Sequence, residues 1–162
     1  MQIKNNSKMK TVVFIVFLLV VNFVSSQNMI ELKIKNTINT FFDGLHRGDT
    51  AIINKTINTT LKMQTIYVNK EGNSIIKTEI KEDFFAAVIS KKEEDIWLEK
   101  LLSITIKVDG NLASVWTPYE FYFNTKFSHC GVNSFQLFKN NENWEIVYLV
   151  DTRRKQDCKV NE

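Results

Sequence analysis

Backbone punctuation is almost missing from this chain: 162 residues contain one proline and five glycines. A sequence so poor in both is built mostly of regular elements, which excludes a collagen-like repeat, a flexible linker or a low-complexity tract. Histidine and cysteine are equally scarce, at two each. With only His46 and His129, and no Cys-x-x-Cys spacing, nothing in the pattern marks a metal site. No metal and no cofactor is expected.

What is present begins with a leader. Lys4, Lys8 and Lys10 form a basic start, Thr11 to Val24 is almost wholly apolar, and Val24-Ser25-Ser26 supplies small residues before Gln27. That is the layout of a cleaved secretory signal over residues 1–26. The apolar run is 14 residues, short of the roughly 20 a membrane-spanning helix needs; an uncleaved anchor is the alternative. Removing the three leader lysines leaves 18 basic against 18 acidic residues. The general basic footprint of a nucleic-acid binder is then absent, and Arg153-Arg154-Lys155 reads as a solvated strand end. The expectation is a single secreted or periplasmic domain over residues 27–162, with no nucleic-acid partner and no membrane contact after cleavage. An oxidising compartment would let Cys130 and Cys158 pair. Closing that loop contributes about 3 kcal/mol in the chain-entropy model; two free thiols are the alternative.

Along the mature chain, Ile30, Ile34, Ile38, Phe41, Phe42 and Leu45 recur at helical spacing on one face. Gly48 can close that helix in the left-handed conformation, and Asp49 can cap a short second helix. Leu61 to Val68 alternates as a strand, Asn69 to Asn73 turns, and Ser74 to Lys77 returns. Thr78 sits where a third helix wants its N-cap, with Ile80, Phe84, Ala87 and Val88 as the apolar stripe. Strands follow over Ile96 to Val108, Leu112 to Phe123, Gly131 to Phe138 and Trp144 to Asp151, with a hairpin turn at Asp109-Gly110-Asn111 and a loop over Asn124 to His129. Helices first and an antiparallel meander after them make an α+β arrangement, with helices packed on one face of a curved sheet.

Three segments carry a resemblance: Phe41-Phe-Asp-Gly-Leu-His-Arg-Gly-Asp49, Asp109-Gly-Asn-Leu-Ala-Ser-Val115, and the closing hairpin from Phe135 to Val147 with its Trp144-x-Ile146 pattern. In these the chain resembles the nuclear transport factor 2-like superfamily, in its SnoaL-like and lumazine-binding-like branches, over roughly Met29 to Arg153. The resemblance implies a cone-shaped fold, with N-terminal helices packed in a strongly curved, mainly antiparallel sheet open at one end. It also implies a homodimer through the convex face. Members act as isomerases, cyclases or dehydratases, or only bind, so the fold does not choose the function.

Alternation points Ala113, Val115, Thr117, Tyr119 and Phe121 inward, together with Trp144, Ile146, Tyr148 and Val150. The candidate ligand-binding residues are therefore Tyr67, Tyr119, Phe121, Trp144 and Tyr148, an aromatic wall suited to a small apolar or aromatic molecule. The ordinary alternative is that these aromatics simply fill the core. On this parity no inward strand residue is a carboxylate or a histidine, and Glu120 and Asp151 face away. His46 and Asp43 are the remaining candidates for a base, with Tyr119 as donor, and His129 falls at the rim. The expected function is exported small-molecule binding without catalysis; the alternatives are a SnoaL-like isomerase, cyclase or dehydratase, and an interaction domain docking through Trp116 and Tyr122. Export places the mature N-terminus at or next to Gln27. N-terminal sequencing of protein from a secreting host reads this directly, and a chain that keeps residues 1–26 contradicts it.

Overall fold

The computed structural model describes residues 27–158; the leader expected over residues 1–26 lies outside them. The chain divides into two units, residues 1–33 and 34–162. Of the first, residues 27–33 are helical. The second carries the sheet and everything discussed below.

Its first element, α1, is helical over residues 34–47. Ile34 and Ile38 are fully buried, and Phe41 and Phe42 nearly so, as the three- and four-residue spacing predicts. Both phenylalanines meet Phe135 edge-on with ring centroids 6.0 Å apart. The helix stops because Gly48 takes φ of +72°, after which Asp49 N–H donates to the Gly44 carbonyl and Gly48 N–H to that of Leu45. This paired return is the Schellman closure. Asp49 then turns its carboxylate onto the N–H groups of Ala51 and Ile52, starting α2 at Thr50–Asn54. Gly44 makes the corner tight: a Cβ there would sit 2.7 Å from Ile53.

The strands are β1 (Ile57–Val68), β2 (Ser74–Glu79), β3 (Trp97–Leu101), β4 (Thr105–Asp109), β5 (Leu112–Phe123), β6 (Lys126–Asn140) and β7 (Asn143–Arg153), with α3 (Lys81–Ile89) between β2 and β3. They form one curled, open sheet in the order β2-β1-β7-β6-β5-β3. All pairs are antiparallel except β1 with β7. Strands β3 and β4 share one edge of β5, taking residues 119–123 and 112–116 respectively. The change of partner falls at Pro118, whose carbonyl accepts from Leu102. A proline offers no N–H, so it suits the point where the edge partner breaks.

Three local readings give way here. Ile96 to Val108 is two strands rather than one. Thr78 is not a cap: it pairs with Gln64 inside β2, and α3 starts after Ile80, which offers no side-chain cap. Asn124 to His129 is mostly strand, because Asn124 and Thr125 both take positive φ (49° and 67°) and turn the chain in two residues. That is the geometry which matches hairpin twist.

A β-bulge decides the sheet's chemistry. Between β6 and β7, Gln136 pairs with Tyr148 and Leu137 with Ile146, leaving Val147 unpaired. One extra residue flips every later side chain to the opposite face. Trp144 and Ile146 point inward as expected, but Leu149, Asp151 and Arg153 follow them, while Tyr148 and Val150 turn outward.

Asp49→Ala is expected to lower stability by about 1 kcal/mol in urea unfolding through loss of the cap. Gly131→Ala is expected to do far more, since its Cβ would fall 1.7 Å from the Thr152 carbonyl. Equal midpoints for Gly131→Ala and wild type would contradict this packing.

Candidate functional site

Inside the curl lies a cavity of about 370 Å³. Its helical wall is apolar: Phe41, Phe42 and Leu45 come from α1, and Phe84, Ala87 and Val88 from α3. Phe41 stacks on Phe84 with centroids 6.1 Å apart. The sheet adds Trp97, Phe121, Phe123 and Leu149, then concentrates its polar groups together: Glu99, Asn133, Asp151, Arg153, His129 and Glu79.

Register explains that concentration. Asn133 pairs with Asp151 and with Thr117, and Asp151 pairs with Thr65, so these residues of β1, β7, β6 and β5 share the inner face. Asp151 is buried and receives Thr65 Oγ1 at 2.6 Å, Arg153 Nε at 2.8 Å and the Tyr119 hydroxyl at 3.2 Å. The Tyr119 hydroxyl also lies 3.0 Å from the Thr152 carbonyl. Its ring passes over Gly131, where a Cβ would come within 2.9 Å of it. Burial, then the neighbouring Asp151 and Glu99, push the phenol well above its ordinary range. Tyr119 is thus a buried strut whose proton is engaged.

Glu99 is different. Asn133 Nδ2 donates to its Oε1 at 2.7 Å, and its Oε2 makes no hydrogen bond among the described residues. The residue keeps some exposure, because the cavity reaches it, while protein densely surrounds the carboxyl. Burial raises its pKa to about 7, Asn133 opposes that, and Asp151 adds to it. His129 moves the other way, to about 4, through burial and then the Arg153 charge, so it is neutral near pH 7. Arg153 loses some basicity to burial, but Asp151 more than restores it. Trp97, on the same wall, holds a buried indole N–H with no partner among the described residues.

The sequence candidates separate accordingly. Phe121 lines the cavity and Tyr119 stands behind its polar side. Trp144 is core, only 3% exposed, and does not line the cavity. Tyr148 lies on the outer face, bonded to Gln64 in a groove beside Lys62. Tyr67 lies in a second groove with Arg154 and Lys155. Asp43 is held by Arg47 at 2.8 Å in an exposed pair. His46 is half-buried and held below its usual pKa by that burial; its Nε2 accepts the Glu99 N–H at 2.9 Å, so that lone pair is spent. His46 therefore positions the backbone of Glu99 instead of serving as a base. The expectation that the inner face lacks a carboxylate and a histidine is overturned by Glu99, Asp151 and His129. Glu99 had a signal, a carboxylate alternating with Trp97 and Leu101 on an apolar face; Asp151 had none, because the bulge is invisible in the sequence.

Cys130 and Cys158 form a disulfide. Among the described residues no group of His, Cys, Asp and Glu is placed to hold a metal ion, and no helix is long and apolar enough to cross a membrane.

Residues 30–150 match the family model described as "Putative lumazine-binding". No curated protein sequence matches the chain. Among solved structures, a nuclear transport factor 2-like protein of unknown function from Shewanella baltica is similar at 11% identity and TM-score 0.57, covering 79% of this chain and 96% of that one. A function-unknown protein from Mycobacterium tuberculosis is similar at 13% identity and TM-score 0.63, covering 83% of this chain and 77% of that one. The association domain of Caenorhabditis elegans CaMKII is similar at 17% identity and TM-score 0.59, covering 78% and 97%.

The Glu99 arrangement fixes a pH dependence. The folded state holds this proton more tightly than the unfolded chain, whose carboxyl titrates near 4.5. The contribution is therefore complete below about pH 4.5 and is lost as pH rises through about 7. Glu99→Gln keeps an acceptor for Asn133 and cannot ionise. Its Tm is expected to match wild type at pH 4 and exceed it by several degrees at pH 8; a variant less stable than wild type at pH 8 contradicts the assignment.

Proposed function

The chain belongs to the lumazine-binding family of nuclear transport factor 2-like proteins, and from that premise we propose that its inner cavity binds a small, mostly apolar, ring-shaped molecule. The carrying observation is the cavity's division into two faces: an aromatic and aliphatic wall from α1 and α3, and a polar side on which Glu99 Oε2 makes no hydrogen bond among the described residues. Apolar walls supply burial, and a few convergent polar groups fix orientation. Glu99 near neutrality can donate to a ligand carbonyl or accept from a ligand N–H. The reading includes export, supported by the basic start and apolar run of the first 26 residues.

A second reading, proton transfer on the bound ring, is favoured by Glu99 itself. A carboxyl with pKa about 7 can give and take a proton under ordinary conditions. It would work without Tyr119, whose proton Asp151 and Thr152 already engage. A Glu99→Gln variant with no stability gain at neutral pH would remove the support for a group kept at a cost to the fold.

Binding itself is checked with the neutral fluorophore phenylnaphthylamine. Saturable enhancement is expected, at least tenfold weaker in Ala87→Trp, which adds an indole at the cavity's rim, where Ala87 is exposed on α3. Absence of saturable binding, or unchanged affinity in Ala87→Trp, contradicts the cavity as the binding site.

A further inference from the structure

The inner cavity opens beside a larger groove of about 720 Å³, and both touch Glu79, His129 and Arg153. The groove's chemistry is different. Lys77, Arg153, Arg154 and Lys155 face it, against the carboxylates of Glu79 and Asp157. Glu79 is only loosely engaged by Lys77, at 3.5 Å, and such an exposed pair contributes little. Arg153 spends its Nε on Asp151. Its two terminal nitrogens have no partner among the described residues, and neither does the Lys155 ammonium. The charges are close enough to act together: Arg153 and Lys155 both help to keep His129, at the junction of the two hollows, unprotonated.

We propose that this groove receives the anionic arm of the molecule whose ring occupies the inner cavity. The inference rests on the cavity reading above and adds the ligand's class: a ring system bearing a carboxylate or phosphate. A guanidinium fork matches such oxyanions better than a single ammonium does, and Arg153 stands where ring and arm would join. The groove also has a dependence on the disulfide. Cys130 and Arg154 exchange backbone hydrogen bonds at 2.9 Å each, and the Cys130–Cys158 bond fixes the segment beyond. Together they hold residues 154–157 as one wall of the groove. Opening the disulfide frees that wall from one end without touching the cavity lining.

The test compares two dyes that share a phenylnaphthylamine ring system, the neutral phenylnaphthylamine and the anionic anilinonaphthalene sulfonate. At low salt the anionic dye is expected to bind about tenfold tighter, and added sodium chloride should shrink the difference through screening. Arg154→Gln combined with Lys155→Gln, the first half-buried and the second exposed, is expected to weaken the anionic dye at least fivefold and leave the neutral dye unchanged. Cys158→Ser should shift the anionic dye in the same direction. Equal affinities for the two dyes, or a preference that survives both the double variant and high salt, overturn the anionic arm and leave the cavity reading standing. Binding of the neutral dye alone likewise overturns only the anionic arm, and failure of both dyes to bind overturns both.

Discussion

The buried carboxylate of Asp151 organises the inner face of the sheet. It gathers Thr65 from β1, Tyr119 from β5 and Arg153 from its own strand, so three strands converge on one anion. A buried charge is tolerated only when hydrogen bonds replace its water, and these donors do so. The consequences spread outward. Tyr119 must reach across β6 to Asp151, which requires Gly131 beneath its ring. Arg153 is held at the mouth of the cavity with its terminal nitrogens to spare. The field of Asp151 also falls on Glu99 and helps keep that carboxyl protonated.

Two carboxylates a short way apart thus take opposite parts. Asp151 is fully engaged and serves the fold. Glu99 has one oxygen held by Asn133, the other without a hydrogen bond among the described residues, and its backbone N–H fixed by His46 at the end of α1. Environment, and not residue type, separates them. The same helix end that closes through Gly48 and Asp49 therefore also sets the position of the cavity's most perturbed acid. A corner with an apparently structural purpose reaches the site through one hydrogen bond.

How much of this was legible in the sequence depended on range. The α1 stripe, the Gly48 closure and the Asp49 cap are local, fixed by spacing and by the conformations each residue prefers, and they appear where the pattern puts them. The curled sheet and the family were legible from the turn and Trp-x-Ile segments. Thr78 failed because strand pairing with Gln64 outweighed its capping preference. Tyr148 and Asp151 exchanged faces because a single unpaired residue, Val147, reversed the parity, and no residue type announces a bulge. Glu99 was visible in principle, as an acid spaced between Trp97 and Leu101, but only the register with Phe121 shows which face it joins.

The central claim is that the cavity holds a carboxyl poised near neutrality. The most direct measurement is a carbon-detected NMR titration of the Glu99 side-chain carboxyl in the intact, disulfide-bonded protein, identified by its absence in Glu99→Gln. A midpoint near pH 7 is the predicted result. A midpoint near 4.5 would mean that the carboxyl sits in water, and the cavity described above would not be what surrounds it.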